Sequence, residues 1–225
     1  MFGHQMTIVS GDKHITLKPL VLEDMTEIMA WWKMFSVVRY LGRTDVYTIE
    51  AQREWFKRKS EERDGVHWGI FIKGCDEPIG VTSLGSLDMM ARSATSGIVI
   101  WNKSHWGQGV ASLSHLARCL YAMEVMDLAT INSHVRLKNE ASLRALLKVG
   151  YIVVGHIQRT RPVEGKFMDD YRLQWFNPSP WVEPFLWRDG VELSELETEL
   201  KTKALAGMEI AKEAMGRAKT LVTIE

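Results

Sequence analysis

The feature that most constrains the fold is the run at residues 97–112, which reads GIVIWNKSHWGQGVAS. Its first five residues are apolar and mostly β-branched, which predicts a short buried strand. Gly107 and Gly109 then predict a turn, and an amphipathic helix follows from about Ala111. This order of elements can bind an anion. Glycine lets the main chain approach a ligand, and the first-turn N–H groups of a helix lack internal partners and carry the positive end of its dipole.

Two common phosphate motifs are absent from this run. The dinucleotide fingerprint needs a third glycine where Ser112 stands, and the P-loop needs a Gly-Lys-Ser/Thr ending. A Gly-x-Gly pair is also compatible with a plain turn between a strand and a helix. The run by itself therefore leaves a phosphate site and a structural turn open.

A second informative segment follows about thirty residues later and reads NEASLRALLKVGY. Its pattern predicts a helix that begins at Asn139 and ends at Gly150, with Tyr151 opening the next strand.

Taken together, the two segments resemble the GNAT superfamily of acyl-CoA-dependent N-acyltransferases. Residues 106–111 look like its Gln/Arg-x-x-Gly-x-Gly/Ala pyrophosphate motif, with Trp106 in place of the usual Gln or Arg. The Asn-x-x-Ser helix with its Gly-Tyr end looks like the branch that acetylates the N-termini of ribosomal proteins. The resemblance covers residues 14–178. It implies an α/β fold with a mixed, largely antiparallel sheet, helices on both faces and a splayed central strand pair.

The resemblance also implies acetyl-CoA as co-substrate and no metal. In this family pantetheine lies between the two splayed strands, which correspond here to residues 97–101 and 131–135. The implied contacts to the co-substrate come from the strand, the glycine loop and the second helix: Val99, Ile100, Trp101, Trp106, Gly107, Gln108, Gly109, Val110, Ala111, Asn139 and Ser142.

The candidates for proton transfer are fewer. Many family members carry a tyrosine as the acid for the leaving thiolate, but this chain has Leu146 at that position. Ser142 corresponds to a serine near the sulfur in the ribosomal-protein branch, and packing within the helix is its alternative role. The position of a frequent family glutamate holds Thr95. His134 has a suitable intrinsic pKa for a base, although strand alternation could turn it away from the site. The sequence does not identify the base, and the alternatives that stay open are His67, His105, Asp88, Glu23 and a water chain to solvent.

The acceptor side is predicted from the resemblance alone. In the family, the first two helices and their connection overhang the acceptor. Here these helices are predicted around Met25–Trp32 and from the N-cap Thr48 to about Arg63. Trp31, Arg39 and Tyr40 are therefore predicted substrate contacts. The acceptor itself stays open between a peptide N-terminus and small amines such as polyamines or amino sugars.

Composition excludes several classes of function. Lys+Arg and Asp+Glu both number 28, so the charge balance indicates neither a nucleic acid nor a membrane as a partner. Cys75 and Cys119 form no CxxC motif, which suits a reducing compartment. No apolar run approaches a membrane span, and the N-terminus lacks the apolar region of a signal peptide. We therefore expect a cytoplasmic protein. Residues 1–13 carry little pattern and are expected to be partly loose.

The C-terminal part is predicted to be an appendage. A proline-rich stretch at residues 178–184 divides a domain at residues 14–177 from a tail at residues 178–225. Ser194 and Glu197 predict a capping box, and the apolar stripe that follows predicts an amphipathic helix. Because such a helix is marginal alone, it must pack on its own domain or on a second subunit, which suggests a possible homodimer.

The sequence thus predicts an N-acetyltransferase that transfers an acetyl group from acetyl-CoA to a primary amine. The alternative is a non-catalytic acyl-CoA-binding module, which the missing tyrosine and glutamate favour. A nucleic-acid module has little support, since the basic residues at 53–63 alternate with glutamates.

Overall fold

A computed structural model describes residues 1–41, 48–187 and 190–225 of the chain. The strands are β1 (Met6–Ser10), β2 (Lys13–Lys18), β3 (Val66–Ile72), β4 (Gly80–Asp88), β5 (Ser93–Ile100), β6 (Thr130–Arg136), β7 (Ile152–Val163), β8 (Lys166–Phe176) and β9 (Val222–Ile224). The helices are α1 (Asp24–Trp32), α2 (Phe35–Val38), α3 (Ile49–Glu61), α4 (Val110–Glu124), α5 (Glu140–Leu147), α6 (Val182–Leu186) and α7 (Glu195–Leu221).

The nine strands form one sheet in the order β7-β8-β6-β5-β4-β3-β2-β1-β9. Every neighbouring pair is antiparallel except β5 and β6, which are parallel. Helices cover both faces. One core cluster joins the sheet to α4, α5 and α7, and a second joins it to α1, α2 and α3. The predicted mixed α/β fold with a largely antiparallel sheet is confirmed.

The central strand pair separates after a short contact. β5 and β6 pair only from Ser93 and Thr130 to Thr95 and Asn132. Beyond that point β5 continues to Ile100 and β6 to Arg136 without pairing to each other. The two strands therefore enclose a wedge whose closed end, the apex, lies at Thr95 and whose open end lies at Ile100. This is the splayed pair that the resemblance implied.

The N-terminal segment is more ordered than expected. Residues 6–10 form β1, which pairs with β2, and the side chains of Met6 and Ile8 are fully buried. The expectation of a partly loose segment at residues 1–13 is wrong for this strand, because its alternating apolar residues bury against α4 and α7. With five residues, β1 is too short for its alternation of apolar and polar residues to be recognised in the sequence.

The C-terminal tail packs on its own domain. The predicted capping box is present, with the Ser194 side chain and Glu197 bonded reciprocally at the start of α7. Its apolar stripe contributes Ala211, Ala214 and Met215 to the main core. At Gly150 an added Cβ would lie 2.6 Å from the backbone N of Ala211, so α7 packs directly against the segment between α5 and β7.

After α7, the unpredicted strand β9 pairs with β1 at the edge of the sheet. The stripe is thus buried without a second subunit, which is the simpler of the two arrangements that the sequence left open.

Candidate active site

The loop between β5 and α4 holds the predicted phosphate motif. Gly107 and Gly109 have φ angles of 74° and 83°, in the left-handed region that favours glycine. A Cβ added at either glycine would meet no atom within 4 Å, so open space borders the main chain there. The side chains of residues 106–109 are exposed. The loop therefore offers backbone to a ligand without obstruction.

Helix α4 begins differently from α3 and α7. Thr48 caps α3 and Ser194 caps α7 with a side-chain oxygen, whereas the N-cap of α4 is Gly109 and has none. The first-turn N–H groups of α4 thus keep their hydrogen-bonding capacity for a ligand, and the helix dipole favours an anion. Lys103, which the sequence analysis did not single out, adds an exposed positive charge in the same loop. This combination fits the pyrophosphate of a CoA thioester.

The main chain of β5 presents alternate residues to the wedge. Trp101 donates its backbone N–H to the Ile79 carbonyl on the β4 side at 3.1 Å. In an antiparallel pair the direction alternates from residue to residue, so Val99 also faces β4 and Ile100 faces the wedge. Of the three predicted pantetheine contacts, Ile100 has a suitable backbone direction. The Trp101 N–H already bonds to the β4 side and the Trp101 side chain is fully buried, so the contacts of Val99 and Trp101 with pantetheine stay predictions that their backbone direction does not support.

Trp106 reaches back to that wedge-facing backbone. Its indole N–H donates to the Ile100 carbonyl at 2.9 Å, and its side chain is about half exposed. Gln108 likewise donates from its amide to the Ser104 carbonyl at 2.6 Å. Both side chains therefore brace their own loop in this structure, and Trp106 covers a carbonyl that a ligand in the wedge would need.

Helix α5 supplies the next predicted residues. Asn139 is the N-cap, and its side-chain oxygen accepts the Ser142 backbone N–H at 3.4 Å. The Asn139 amide keeps its N–H donors for a ligand. The Ser142 hydroxyl is half-buried and makes no hydrogen bond with the described part of the chain, so it is not back-bonded within the helix. Leu146 is buried in the main core, which leaves no acid at the usual tyrosine position.

His134 lies on the outer part of β6 and is exposed. The pairing of Thr95 with Asn132 places His134 on the same face of the sheet as Val99 and α1–α3. Arg172 on β8 donates to its ring. Partial burial, and next the Arg172 charge, lower the pKa of His134, so the imidazole is neutral near pH 7 but is a weaker base. Strand alternation therefore does not turn His134 to the opposite face, and its role as base stays a prediction.

The predicted acceptor residues fall into two groups. Arg39 lies over the Tyr40 ring at 4.8 Å and forms an ion pair with Glu164 at 3.3 Å. Glu164 belongs to the tight turn between β7 and β8, so this contact joins the α1–α3 layer to that hairpin. Trp31 instead packs against the second core cluster and donates its indole N–H to Glu27. Their role as substrate contacts stays a prediction.

A cavity of about 530 Å³ lies between α1 and α3 above β4. Its apolar lining includes Trp32, Trp55 and Val81, and its charged lining consists of Glu54, Arg58 and Lys59. Val81 pairs with Val99 on β5, so the cavity floor adjoins the strand that borders the wedge. Trp32 and Trp55 pack against the second core cluster and are partly exposed at this cavity.

The chain matches the family model "Acetyltransferase (GNAT) domain" over residues 14–152. It therefore belongs to the GNAT acetyltransferase family, and the predicted enzyme class, an N-acetyltransferase, is confirmed. An uncharacterized N-acetyltransferase, YoaA, of Bacillus subtilis (strain 168) is 31% identical over 147 residues, which are 64% of this chain and 82% of the relative. A probable N-acetyltransferase of the same organism, YjcK, is 27% identical over 176 residues, or 74% of this chain and 96% of the relative.

Solved structures share the fold. The spermidine N-acetyltransferase of Vibrio cholerae, in complex with CoA and spermine, superposes with a TM-score of 0.66 at 20% identity, covering 72% of this chain and 95% of that one. A GNAT-family acetyltransferase of Bacillus anthracis gives 0.64 at 18% identity, covering 76% and 98%. None of the helices that the structure describes is long and apolar enough to cross a membrane. Within the described ranges, no three His, Cys, Asp or Glu side chains are grouped to hold a metal ion.

Proposed function

We propose that this chain is a cytoplasmic enzyme that transfers the acetyl group of acetyl-CoA directly to a primary amine. The observation that carries the proposal is the uncapped start of α4, with two glycines in the left-handed region, at the open end of the wedge. A pyrophosphate bound there would lead the pantetheine arm along β5 toward the apex. The thioester would then lie inside the sheet, where water is excluded and backbone dipoles are fixed.

Three groups of this chain would support the transfer. The Ile100 carbonyl would accept a pantetheine amide N–H once the Trp106 indole has moved. The Ser142 hydroxyl, free of other hydrogen bonds to described residues, would donate a proton to the departing sulfur. His134 would take a proton from the amine, directly or through water, and its neutral form is the one required.

The cavity between α1 and α3 bears on which kind of amine could be the acceptor. A cavity of about 530 Å³ suits a small molecule, since ligand pockets commonly measure about 300–1,000 Å³. The cavity has aromatic walls and the carboxylate of Glu54, but Arg58 and Lys59 also line it, so its size rather than its charge supports a small-molecule amine over a protein N-terminus of the ribosomal type. The Vibrio enzyme, with its bound spermine, justifies including polyamines among the acceptors to be tested.

The test is a turnover assay with acetyl-CoA and a panel of amines, in which the release of free thiol is followed and the product is identified by mass. The panel includes spermidine, an amino sugar, a dipeptide amide and a ribosomal-type N-terminal peptide. We expect thiol release that depends on at least one amine and saturates with it. Binding of acetyl-CoA without turnover on any amine would instead favour the non-catalytic module, and the absence of binding would refute the co-substrate.

A homodimer through α7 stays a prediction. Because the apolar stripe of α7 is buried within the chain, a second subunit would have to contact the exposed residues Leu196 and Ile210. Light scattering of the full chain and of a Leu196→Asp/Ile210→Asp variant checks this. A monomeric full chain, or a variant of unchanged mass, would reject it.

A further inference from the structure

One buried cation has no counter-charge in the described structure. Arg118 on α4 is completely buried. Its guanidinium donates to the Gly97 carbonyl at 2.6 Å, to the Ser96 hydroxyl at 2.6 Å, to the Thr82 hydroxyl, and to the His115 ring at 2.5 Å. None of the carboxylates in the described ranges forms an ion pair with Arg118.

The groups around Arg118 do not neutralise it. Burial, and then the adjacent guanidinium, holds the pKa of His115 well below its usual value, so His115 is neutral. Burial raises the pKa of the Cys119 thiol to about 12 and also raises the pKa of the Tyr151 hydroxyl, so both stay protonated. A guanidinium remains charged in proteins, and a buried charge without a partner is costly. Retention of such a charge in the core favours a role beyond packing.

The location of Arg118 suggests that role. Thr95 is the last residue of β5 that pairs with β6, and Arg118 binds the next two residues, Ser96 and Gly97. The Gly97 carbonyl faces β4, as Val99 and Trp101 do, so the guanidinium lies between α4 and the β4–β5 pair, next to the apex of the wedge. A ligand whose pyrophosphate is bound at the open end extends along β5 toward this apex, so its reacting end is the part nearest to Arg118. This step depends on the proposed function.

We propose that Arg118 is a positioning residue that fixes the apex of β5 and provides a permanent positive charge near the reacting thioester. During transfer the amine nitrogen forms a bond to the carbonyl carbon, the C–S bond breaks, and its electron pair leaves on sulfur. One proton leaves the nitrogen and one reaches the sulfur. Negative charge therefore develops first on the carbonyl oxygen and then on sulfur, and a fixed cation nearby stabilises both.

The test compares Arg118→Met, Arg118→Lys and Ser96→Ala, all in a Cys75→Ser background that removes the exposed thiol. The pKa of the thiol of bound CoA is measured from thiolate absorbance in the ultraviolet, beside kcat, KM and thermal stability. In the parent we expect a bound thiol pKa about one unit below that of free CoA, since a nearby opposite charge favours the thiolate. Arg118→Met is expected to abolish this difference and to lower kcat about tenfold or more, with little change in KM for acetyl-CoA.

The other variants separate charge from position. Arg118→Lys keeps a cation and is expected to retain most of the lowered thiol pKa. Ser96→Ala keeps the guanidinium but removes one contact at the apex, so kcat falls while the thiol pKa stays low. A parent protein that binds CoA with an unshifted thiol pKa would overturn the inference even if Arg118→Met does not fold. A folded Arg118→Met with unchanged kcat and thiol pKa would also overturn it. Failure of the parent to bind CoA would refute the proposed function instead.

Discussion

The two halves of the candidate site are built by different means. The half proposed for the co-substrate consists of β5, the glycine loop and the start of α4, all within residues 93–112, and it offers mainly backbone groups. The half proposed for the acceptor consists of side chains from α1–α3 and from the β7–β8 hairpin. Its contact between Arg39 and Glu164 joins residues 125 positions apart. A backbone site depends on local conformation, whereas a side-chain site depends on how distant elements pack.

This difference explains why the co-substrate half can be recognised from the sequence and the acceptor half cannot. Glycines at 107 and 109 specify a conformation that few other residues adopt, so they identify the loop from the sequence. Nothing local to Arg39 indicates Glu164 as its partner. The comparison also predicts that substitutions on the co-substrate side affect binding of every substrate pair, whereas those on the acceptor side change the preference among amines.

The largest effect is expected from Gly109→Asp. It places a carboxylate at the positive end of α4, where the pyrophosphate would bind, and we expect at least about a hundredfold weaker acetyl-CoA binding by calorimetry. Gly74→Asp is a matched control, because Gly74 has a φ of 84° and an equally open surrounding in the β3–β4 turn. Both variants carry a similar backbone strain of about 1 kcal/mol. Equal acetyl-CoA affinity in the two folded variants would contradict the backbone site.

The secondary structure shows the same contrast: elements with a local sequence signal were predicted, and elements that depend on distant partners were not. The β5–α4 unit and the capping box of α7 were predictable, because the hydrophobic periodicity, the turn glycines and the N-cap residues all indicate the same elements. Strand β1 and the edge strand β9 were not predictable, since each has five residues or fewer and is defined by its partner. Glu164 and Gly165 both adopt positive φ, which makes a tight turn between β7 and β8 and lets these strands continue to Val163 and Lys166.

Among the site residues, too, only those that belong to a local motif could be found from the sequence. Ser142 and Asn139 were found because they belong to a local helix motif. Arg118 was not, because a helix face of Leu113, Leu116 and Leu120 predicts only apolar burial, and the sequence gives no reason to place an arginine in the core. The hydroxyls and the carbonyl that bind Arg118 come from β4 and β5, so the cluster exists only after α4 has packed on the sheet.

A smaller effect is expected from Ser142→Ala. If this hydroxyl protonates the departing sulfur, kcat should fall about tenfold while acetyl-CoA affinity stays unchanged. Ser60→Ala on the exposed side of α3 is the control, since its hydroxyl bonds only to the Lys57 carbonyl. Steady-state kinetics beside calorimetry separates the two quantities. Unchanged turnover would assign Ser142 to packing and leave the proton to water.

Trp106→Phe tests whether the indole competes with the ligand. The Trp106 N–H covers the Ile100 carbonyl, which the pantetheine arm would need, and phenylalanine keeps a ring without the donor. A net hydrogen bond contributes about 1 kcal/mol, so we expect acetyl-CoA to bind about fivefold more tightly. Trp187→Phe, remote from the loop, controls for loss of an indole. Weaker binding in Trp106→Phe would mean that the indole contacts the ligand itself.

The smallest effect is expected on the acceptor side, from Glu54→Gln. Glu54 is the carboxylate at the cavity between α1 and α3. It is exposed, and Arg58 and Lys59 line the same cavity, so solvent, salt and these two cations all weaken its attraction for a cationic amine. We therefore expect KM for spermidine to rise only about two- to threefold, less at high salt, with kcat and acetyl-CoA affinity unchanged. Glu61→Gln on the same helix, exposed but outside the cavity, should leave KM unaltered. An acceptor with one amine, such as a dipeptide amide, should respond less than spermidine. This selectivity would show that the acceptor half is specified by side-chain charge. An equal effect on all amines, or an effect on acetyl-CoA binding, would instead mean that Glu54 acts on the co-substrate. The distinction between the co-substrate half and the acceptor half would then fail.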